Sequence, residues 1–152
     1  MLRNNWYYEN QTQDVLGAAE SGVIAAATGE ARVASASRKD YAEAAVLTED
    51  GHAGRIYELG GDTAWTYDEL AATAGAILGR EVRFVAQTPA ERTATLEGFG
   101  LPAEVAAFVA SIDEGIAGGV LAESDGTLAR LIGRPTTPLT ETLRAEVAAA
   151  RA

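Results

Sequence analysis

The chain contains no cysteine, so disulfides, thiolate nucleophiles, zinc–thiolate sites and iron–sulfur clusters are excluded. It holds a single histidine, His52, in the turn Asp50-Gly51-His52-Ala53-Gly54, which rules out a histidine-rich metal site. His52 reads as a solvated loop residue, although it is the one imidazole that could exchange protons near neutral pH. No apolar run approaches the roughly 20 residues that a membrane-spanning helix needs. No apolar stretch follows Arg3, so the start does not read as a signal peptide, and a cytoplasmic protein is the expectation. Basic residues are few: 12 Lys and Arg against 22 Asp and Glu give a net charge of −10. Such a surface repels nucleic-acid phosphates and anionic membranes, so neither is an expected partner.

Several catalytic signatures are missing too. There is no G-x-x-x-x-G-K-[ST] phosphate loop, no G-x-S-x-G nucleophile turn and no Tyr-x-x-x-Lys pair. The nearest approach to a dinucleotide fingerprint is Gly115-Ile116-Ala117-Gly118-Gly119. A fingerprint must join a strand to a helix so that backbone N–H groups reach the pyrophosphate. These glycines follow a helical pattern, so they read as a helix end and loop.

What is present is the punctuation of an α/β domain of 152 residues, 47% of them hydrophobic, enough for a single core. Met1 to Asn4 reads as the end of a strand. Asn10 to Ala19 reads as a helix stopped near Gly22, with Asn10 a candidate cap and Trp6 a candidate core residue. Val23 to Ala27 is a short apolar run before a Thr28-Gly29 turn, and Ala31 to Ser35 alternates weakly as a strand does. Ser37 is placed to cap a helix from Lys39 to Leu47. Arg55 to Leu59 alternates as a half-buried strand. Thr66-Tyr67-Asp68-Glu69 forms a capping box ahead of a helix that presents Leu70, Ala74, Ile77 and Leu78 on one face and ends at Gly79. Val82 to Ala86 is the next strand, and Thr88-Pro89-Ala90-Glu91 is a second capping box with proline at the first helical position. A helix from Pro102 is expected to bury Val105, Phe108, Val109 and Ile112. A short helix ends at Leu131-Ile132-Gly133, and Thr137-Pro138 opens a last helix through Leu139, Leu143 and Val147. The adjacent pairs Asp113-Glu114 and Glu49-Asp50 read as solvated charges.

The strands are few and short, and the first begins at Met1. A strand in that position needs partners in a sheet, which makes the chain look like the later part of a larger sheet.

The densest chemistry lies in Leu2-Arg3-Asn4-Asn5-Trp6-Tyr7-Tyr8-Glu9-Asn10. Amides can hydrogen-bond a carboxamide or carbonyl, aromatics can stack on a flat ring, and the carboxyl end of a parallel strand is where α/β proteins bind ligands. A capped strand-to-helix junction is the structural alternative for the same residues.

This segment resembles the L-R-N-x-W-Y-x-E-N stretch of NmrA-like NAD(P)-binding proteins, specifically the bacterial NAD(P)H-dependent quinone oxidoreductases among the atypical short-chain dehydrogenases. Three further segments agree in order. Ala34 to Ala42 resembles A-S-A-x-R-x-D-Y-A, Gly51 to Asp62 resembles G-H-x-G-x-x-Y-E-L-x-G-D, and Leu128 to Thr137 resembles L-x-x-L-I-G-x-P-T-T. The resemblance implies the C-terminal part of a Rossmann-like NAD(P)-binding fold, with few strands and a mostly helical substrate-side lobe. It implies one domain over residues 1–152 without the glycine-rich nucleotide-binding half. It places Asn4, Asn5 and Trp6 beside the nicotinamide of NADPH or NADH, Tyr7 and Asn10 against a quinone, and Asn10 at the hydride-transfer site. Arg38 and Asp40 are implied to be structural and Lys39 exposed. The partners implied are a quinone-like small molecule and either a Rossmann half or a second copy of the chain. Two further readings stay open at this point: a dinucleotide-sensing regulatory module without turnover, and a self-associating binding module.

Overall fold

In the computed structural model of the chain, residues 1–46 and 51–152 are described. The expected helix end at Leu47 and the Glu49-Asp50 pair lie outside them. Six short strands and seven α-helices alternate: β1 (Leu2–Asn4), α1 (Thr12–Ser21), β2 (Val23–Ala26), β3 (Arg32–Val33), α2 (Arg38–Ala45), β4 (Tyr57–Leu59), β5 (Trp65–Thr66), α3 (Tyr67–Leu78), β6 (Arg83–Ala86), α4 (Pro89–Gly98), α5 (Ala103–Ala117), α6 (Thr127–Ile132) and α7 (Leu139–Ala150). A 3-10 turn, Tyr8–Gln11, leads into α1. The α/β class with few strands and many helices is as expected.

The strands pair two by two. β1 runs parallel to β4, with Leu2 opposite Tyr57 and Asn4 opposite Leu59. β2 runs parallel to β6, with Val23 opposite Arg83. β3 runs antiparallel to β5, with Val33 opposite Trp65. A single bridge between Tyr7 and Ala36 links the first pair to the segment after β3.

Helix boundaries follow the local chemistry. The Ser37 hydroxyl accepts from the Asp40 N–H and opens α2. Both capping boxes form, at Thr66/Glu69 and Thr88/Glu91. Gly22 and Gly79 end α1 and α3 in the left-handed conformation, which glycine adopts without a Cβ clash. Asn10 does not cap α1: the 3-10 turn intervenes, and the residue before the α-helix is Gln11, with no side-chain cap.

Two apolar clusters result. The larger gathers Val15 and Ala18 of α1, Ile24 of β2, Val33 of β3, Trp65, Tyr67 and Leu70 around α3, Ile116 of α5 and Leu143 of α7. Trp6 packs against its edge. The smaller joins Ala36, Tyr41 and Ala44 of the α2 region to Leu59 and Leu128.

Helix α5 departs from expectation in part: Ile112 packs against the main core as expected, but Val105 and Phe108 do not. Val105 is 43% and Phe108 65% exposed, while Ala106, Ala110, Asp113 and Ile116 face inward. Asp113 lies on the inward face and is bonded there. Its Oδ2 accepts from the Ala27 N–H after β2 and from Arg92 Nε of α4, each at 3.0 Å. Expected as a solvated charge, Asp113 is 5% exposed.

Candidate functional site

Strand β1 delivers its polar residues to the carboxyl end of the β1–β4 pair. The Asn5 N–H donates to the Leu59 carbonyl at 2.8 Å and extends the ladder by one step. The Asn5 side chain then turns back: its Oδ1 accepts from the Trp6 N–H at 2.6 Å, and its Nδ2 donates to the Leu121 carbonyl at 3.2 Å. The same carbonyl accepts from the Ala34 N–H at 2.7 Å. Residues 120–125 are thereby fixed opposite the strand ends. Between them lies a cleft of about 680 Å³, lined by Arg3, Asn4, Asn5, Glu58, Leu59 and that segment.

Asn4 leads from this cleft to a second group. Its Nδ2 donates to the Tyr7 hydroxyl at 3.3 Å. The Arg38 guanidinium sits 5.3 Å from the centre of the Tyr7 ring, a cation–π distance. Arg38 Nη2 also points at Asn10 Oδ1 across a long 3.4 Å contact. Tyr41 meets the Tyr7 ring edge-on at 5.3 Å. Tyr7 and Asn10 thus meet one exposed cation, Arg38, and Asn4 joins them through the Tyr7 hydroxyl. Arg38 does hold the fold as well, through its backbone N–H, which donates to Glu9 Oε1 at 2.9 Å.

The other candidates lie differently. Asn5 spends both side-chain polar atoms on the scaffold. The Trp6 indole packs at the edge of the main core, and with the Gln11 amide turned to satisfy its neighbours, Trp6 Nε1 donates to it at 3.1 Å. Lys39 is exposed, as expected. His52 is half-buried rather than solvated, with Nδ1 2.8 Å from the Tyr57 hydroxyl. Among the described residues no group of three His, Cys, Asp or Glu side chains could hold a metal ion, and no helix is long and apolar enough to cross a membrane.

Three of the four motif segments, those carrying Asp40, Asp62 and Thr136-Thr137, meet through two carboxylates. Asp40 is fully buried. It accepts from the Thr137 N–H at 2.8 Å, the Thr137 hydroxyl at 3.0 Å and Arg134 Nη2 at 2.7 Å. Burial alone would raise its pKa, but these bonds, with that from Ser37, outweigh it and hold the carboxyl below its ordinary range. Asp62 clamps the preceding residue: its Oδ2 accepts from the Thr136 N–H at 2.7 Å, and its own N–H donates to Thr136 Oγ1 at 3.0 Å. Asp40 therefore anchors the loop before α7. Gly61, next to Asp62, lies against the backbone after β3, where a Cβ would collide with the Ser35 carbonyl oxygen.

A buried ion pair joins α4 to α5 beside the start of α1. The Arg92–Asp113 ion pair leaves its side chains only 12% and 7% exposed. Asp14 of α1 lies in the same field and accepts from the turned Gln11 amide at 2.9 Å. Burial pushes the Asp14 carboxyl up to about 6; Arg92 opposes the rise and Asp113 adds to it.

No family model matches the chain. It is 43% identical to quinone oxidoreductase 2 of Escherichia coli over 145 residues, which are 94% of this chain and 51% of that protein. The structure of the E. coli NADPH-dependent quinone oxidoreductase complexed with NADPH superposes with a TM-score of 0.89 at 42% identity, over 94% of this chain and 51% of that one. The Citrobacter triphenylmethane reductase complexed with NADP(H) gives a TM-score of 0.87 at 33% identity, over 95% and 51%. The chain spans about half the length of the curated relatives it matches. The fold is that of the C-terminal part of NAD(P)-binding reductase structures.

Proposed function

We propose that this chain, a homologue of the NmrA-like quinone oxidoreductases over about half their length, is the substrate-side half of a nicotinamide-dependent quinone reductase. The observation that carries the reading is the gathering of Asn4, Tyr7, Asn10 and Arg38 beside the cleft at the carboxyl end of the parallel β1–β4 pair. Ligands of α/β sheets bind at that end.

The residues present fit the nicotinamide end of the cofactor and not its phosphates. Asn4 contributes an exposed amide, able to pair with a carboxamide, and the backbone from Asn4 to Trp6 forms the adjoining edge. The side chains of Asn5 and Trp6 support that edge from behind. Glycines 115 to 119 close helix α5 and form no strand-to-helix cradle. The phosphates are therefore assigned to a second segment, corresponding to the other half of the relatives' length.

NADPH, or NADH, supplies a hydride when bound. Quinone plus hydride plus a proton gives hydroquinone, so the protein needs to hold two flat rings together and to stabilise an oxyanion. Tyr7 offers a ring face and edge at the site. Asn10 offers an amide N–H donor while its Oδ1 faces Arg38. The Arg38 charge favours the anionic reduced ring over the neutral quinone, which is the sense that catalysis requires.

The test is loss of nicotinamide absorbance with a simple benzoquinone, for this chain alone and for this chain co-expressed with the N-terminal half of the E. coli relative. Silence alone and turnover in the complex is the expected pattern. Turnover by the isolated chain would overturn the need for a second half. A folded complex that binds NADPH without reducing any quinone would overturn the reductase reading.

A further inference from the structure

A second cleft, of about 550 Å³, lies between α3 and residues 135–139, at the entry to α7. Its volume falls in the range of small-molecule sites. One wall is α3, and the other is the loop clamped by Asp40 and Asp62. Trp65, Ala72, Pro138 and Leu139 make most of the lining apolar. Its polar groups are unusual in sign. Asp62 and Glu69 are the charged residues lining it, and no Lys, Arg or His does. Glu69 Oε2 is partly neutralised by Arg32 Nη1 at 3.6 Å and accepts from the Thr66 N–H. Asp62, at the exposed rim, spends one carboxylate oxygen on Thr136, and the other has no protein partner among the described residues.

Tyr8 adds an independent observation. It is 2% exposed and lines the cleft, yet its hydroxyl has no hydrogen-bond partner among the described residues. The small accessible part of Tyr8 includes this oxygen, which opens onto the cleft and is free to accept. The hydroxyl also sits in the field of Asp40 and Asp62; burial first, and then these carboxylates, push it up to about 12, so it stays protonated and its oxygen remains an acceptor.

We propose that this cleft binds a small organic ammonium ion, with its apolar body against Pro138, Leu139 and Ala72 and its N–H groups directed to the free oxygen of Asp62 and to the Tyr8 oxygen. An anion would be repelled by Asp62 and Glu69, and a neutral isostere would gain no ion pair with Asp62. This site is separate from the β1–β4 cleft and stands whether or not quinone is the substrate.

The experiment is calorimetric titration of the purified chain with three probes of equal shape: 2-phenylethylammonium, 2-phenylethanol and phenylacetate. The ammonium ion is expected to bind at least about tenfold more tightly than the alcohol, and the carboxylate not at all. Asp62→Asn, which keeps an acceptor for Thr136, should reduce that preference to within about threefold. Ala72→Trp on the exposed face of α3 lies outside the clamp and should abolish binding with the circular dichroism unchanged. Absence of binding, equal affinity for all three probes, or undiminished binding by Ala72→Trp would each overturn the proposal.

Discussion

Asp40 and Thr137, which lie far apart in the sequence, are joined twice: the Thr137 N–H donates to Asp40 Oδ2 at 2.8 Å and the Thr137 hydroxyl to Oδ1 at 3.0 Å. The carboxylate also holds Arg134, so one buried group organises the whole entry to α7. Asp40→Ala would leave the Thr137 N–H unpaired and Arg134 with Glu43 as its remaining ion-pair partner among the described residues. The expected loss is about 3 kcal/mol, since a charged hydrogen-bond partner is removed from a buried donor. Urea unfolding measures it, and a loss under about 1 kcal/mol would show that water replaces the carboxylate.

Asp14 gives the chain a pH response of predictable sign. Its carboxyl rises from an ordinary 3.8 to about 6 on folding. The folded state therefore binds the proton more tightly than the unfolded state. Its stabilising contribution is complete below pH 3.8 and is lost as pH rises through about 6. Asp14→Asn should flatten this part of the stability profile and raise stability at pH 8 by about 1–3 kcal/mol. Thermal melts at pH 5 and pH 8 make the comparison, and an unchanged difference between them in the variant would sink the assignment to Asp14.

Two glycines should respond oppositely to alanine. At Gly61 a Cβ would meet the Ser35 carbonyl oxygen at 2.0 Å, so backbone must move. The expected cost is about 3 kcal/mol or more, the upper end for an overpacked core. Gly17 lies within α1 with nothing within 4 Å of the added Cβ. Gly17→Ala should stabilise by about 0.5–1 kcal/mol through helix propensity. The midpoints of denaturant unfolding for the two variants should straddle the parent.

The rotation of α5 can be checked by paired substitutions. Phe108 is 65% exposed, so Phe108→Ser should change stability by no more than about 0.5 kcal/mol. Ala106 is completely buried, and Ala106→Leu should cost about 1–3 kcal/mol. The reverse ranking would place the expected Phe108 face inward after all.

Arg38 separates structure from chemistry within one residue. Its backbone N–H binds Glu9, while its side chain meets Tyr7 and Asn10. Under the reductase reading, Arg38→Met should leave folding intact but lower kcat of the reconstituted complex by about tenfold, the effect of one lost electrostatic partner at a partly exposed site. An effect on KM alone would assign Arg38 to binding.

Much of this was legible because it is local. Ser37, Thr66 and Thr88 satisfy N–H groups three residues away, so each cap is written in four consecutive letters. The motif segments were legible as a resemblance, but not their reason, which is that Asp40 and Asp62 both grip the Thr136-Thr137 pair. Strand β5 is two residues long and carries no alternation to detect. In α5, alanines occupy the inward face, so the apolar period pointed to the larger Val105 and Phe108 instead. Asp113 looked like any surface carboxylate because its partners, Arg92 and Ala27, are distant in sequence. The role of Arg38 was hidden for the same reason: Tyr7 and Asn10 reach it only after the chain has passed through α1, β2 and β3.

The three strand pairs also bear on how the chain reaches this structure. Leu2 finds Tyr57, Val23 finds Arg83 and Val33 finds Trp65; none of these pairs is a hairpin. Every ladder must therefore close a long loop before its first hydrogen bond forms, and the entropy of that closure is met before any contact compensates it. Helices α3 and α4, each started by its own capping box, can form early, whereas the ladders must wait for the rest of the chain to collapse. A nascent chain released before Arg83 has emerged would hold β2 with its partner strand missing, an adhesive edge exposed for as long as synthesis takes to supply it.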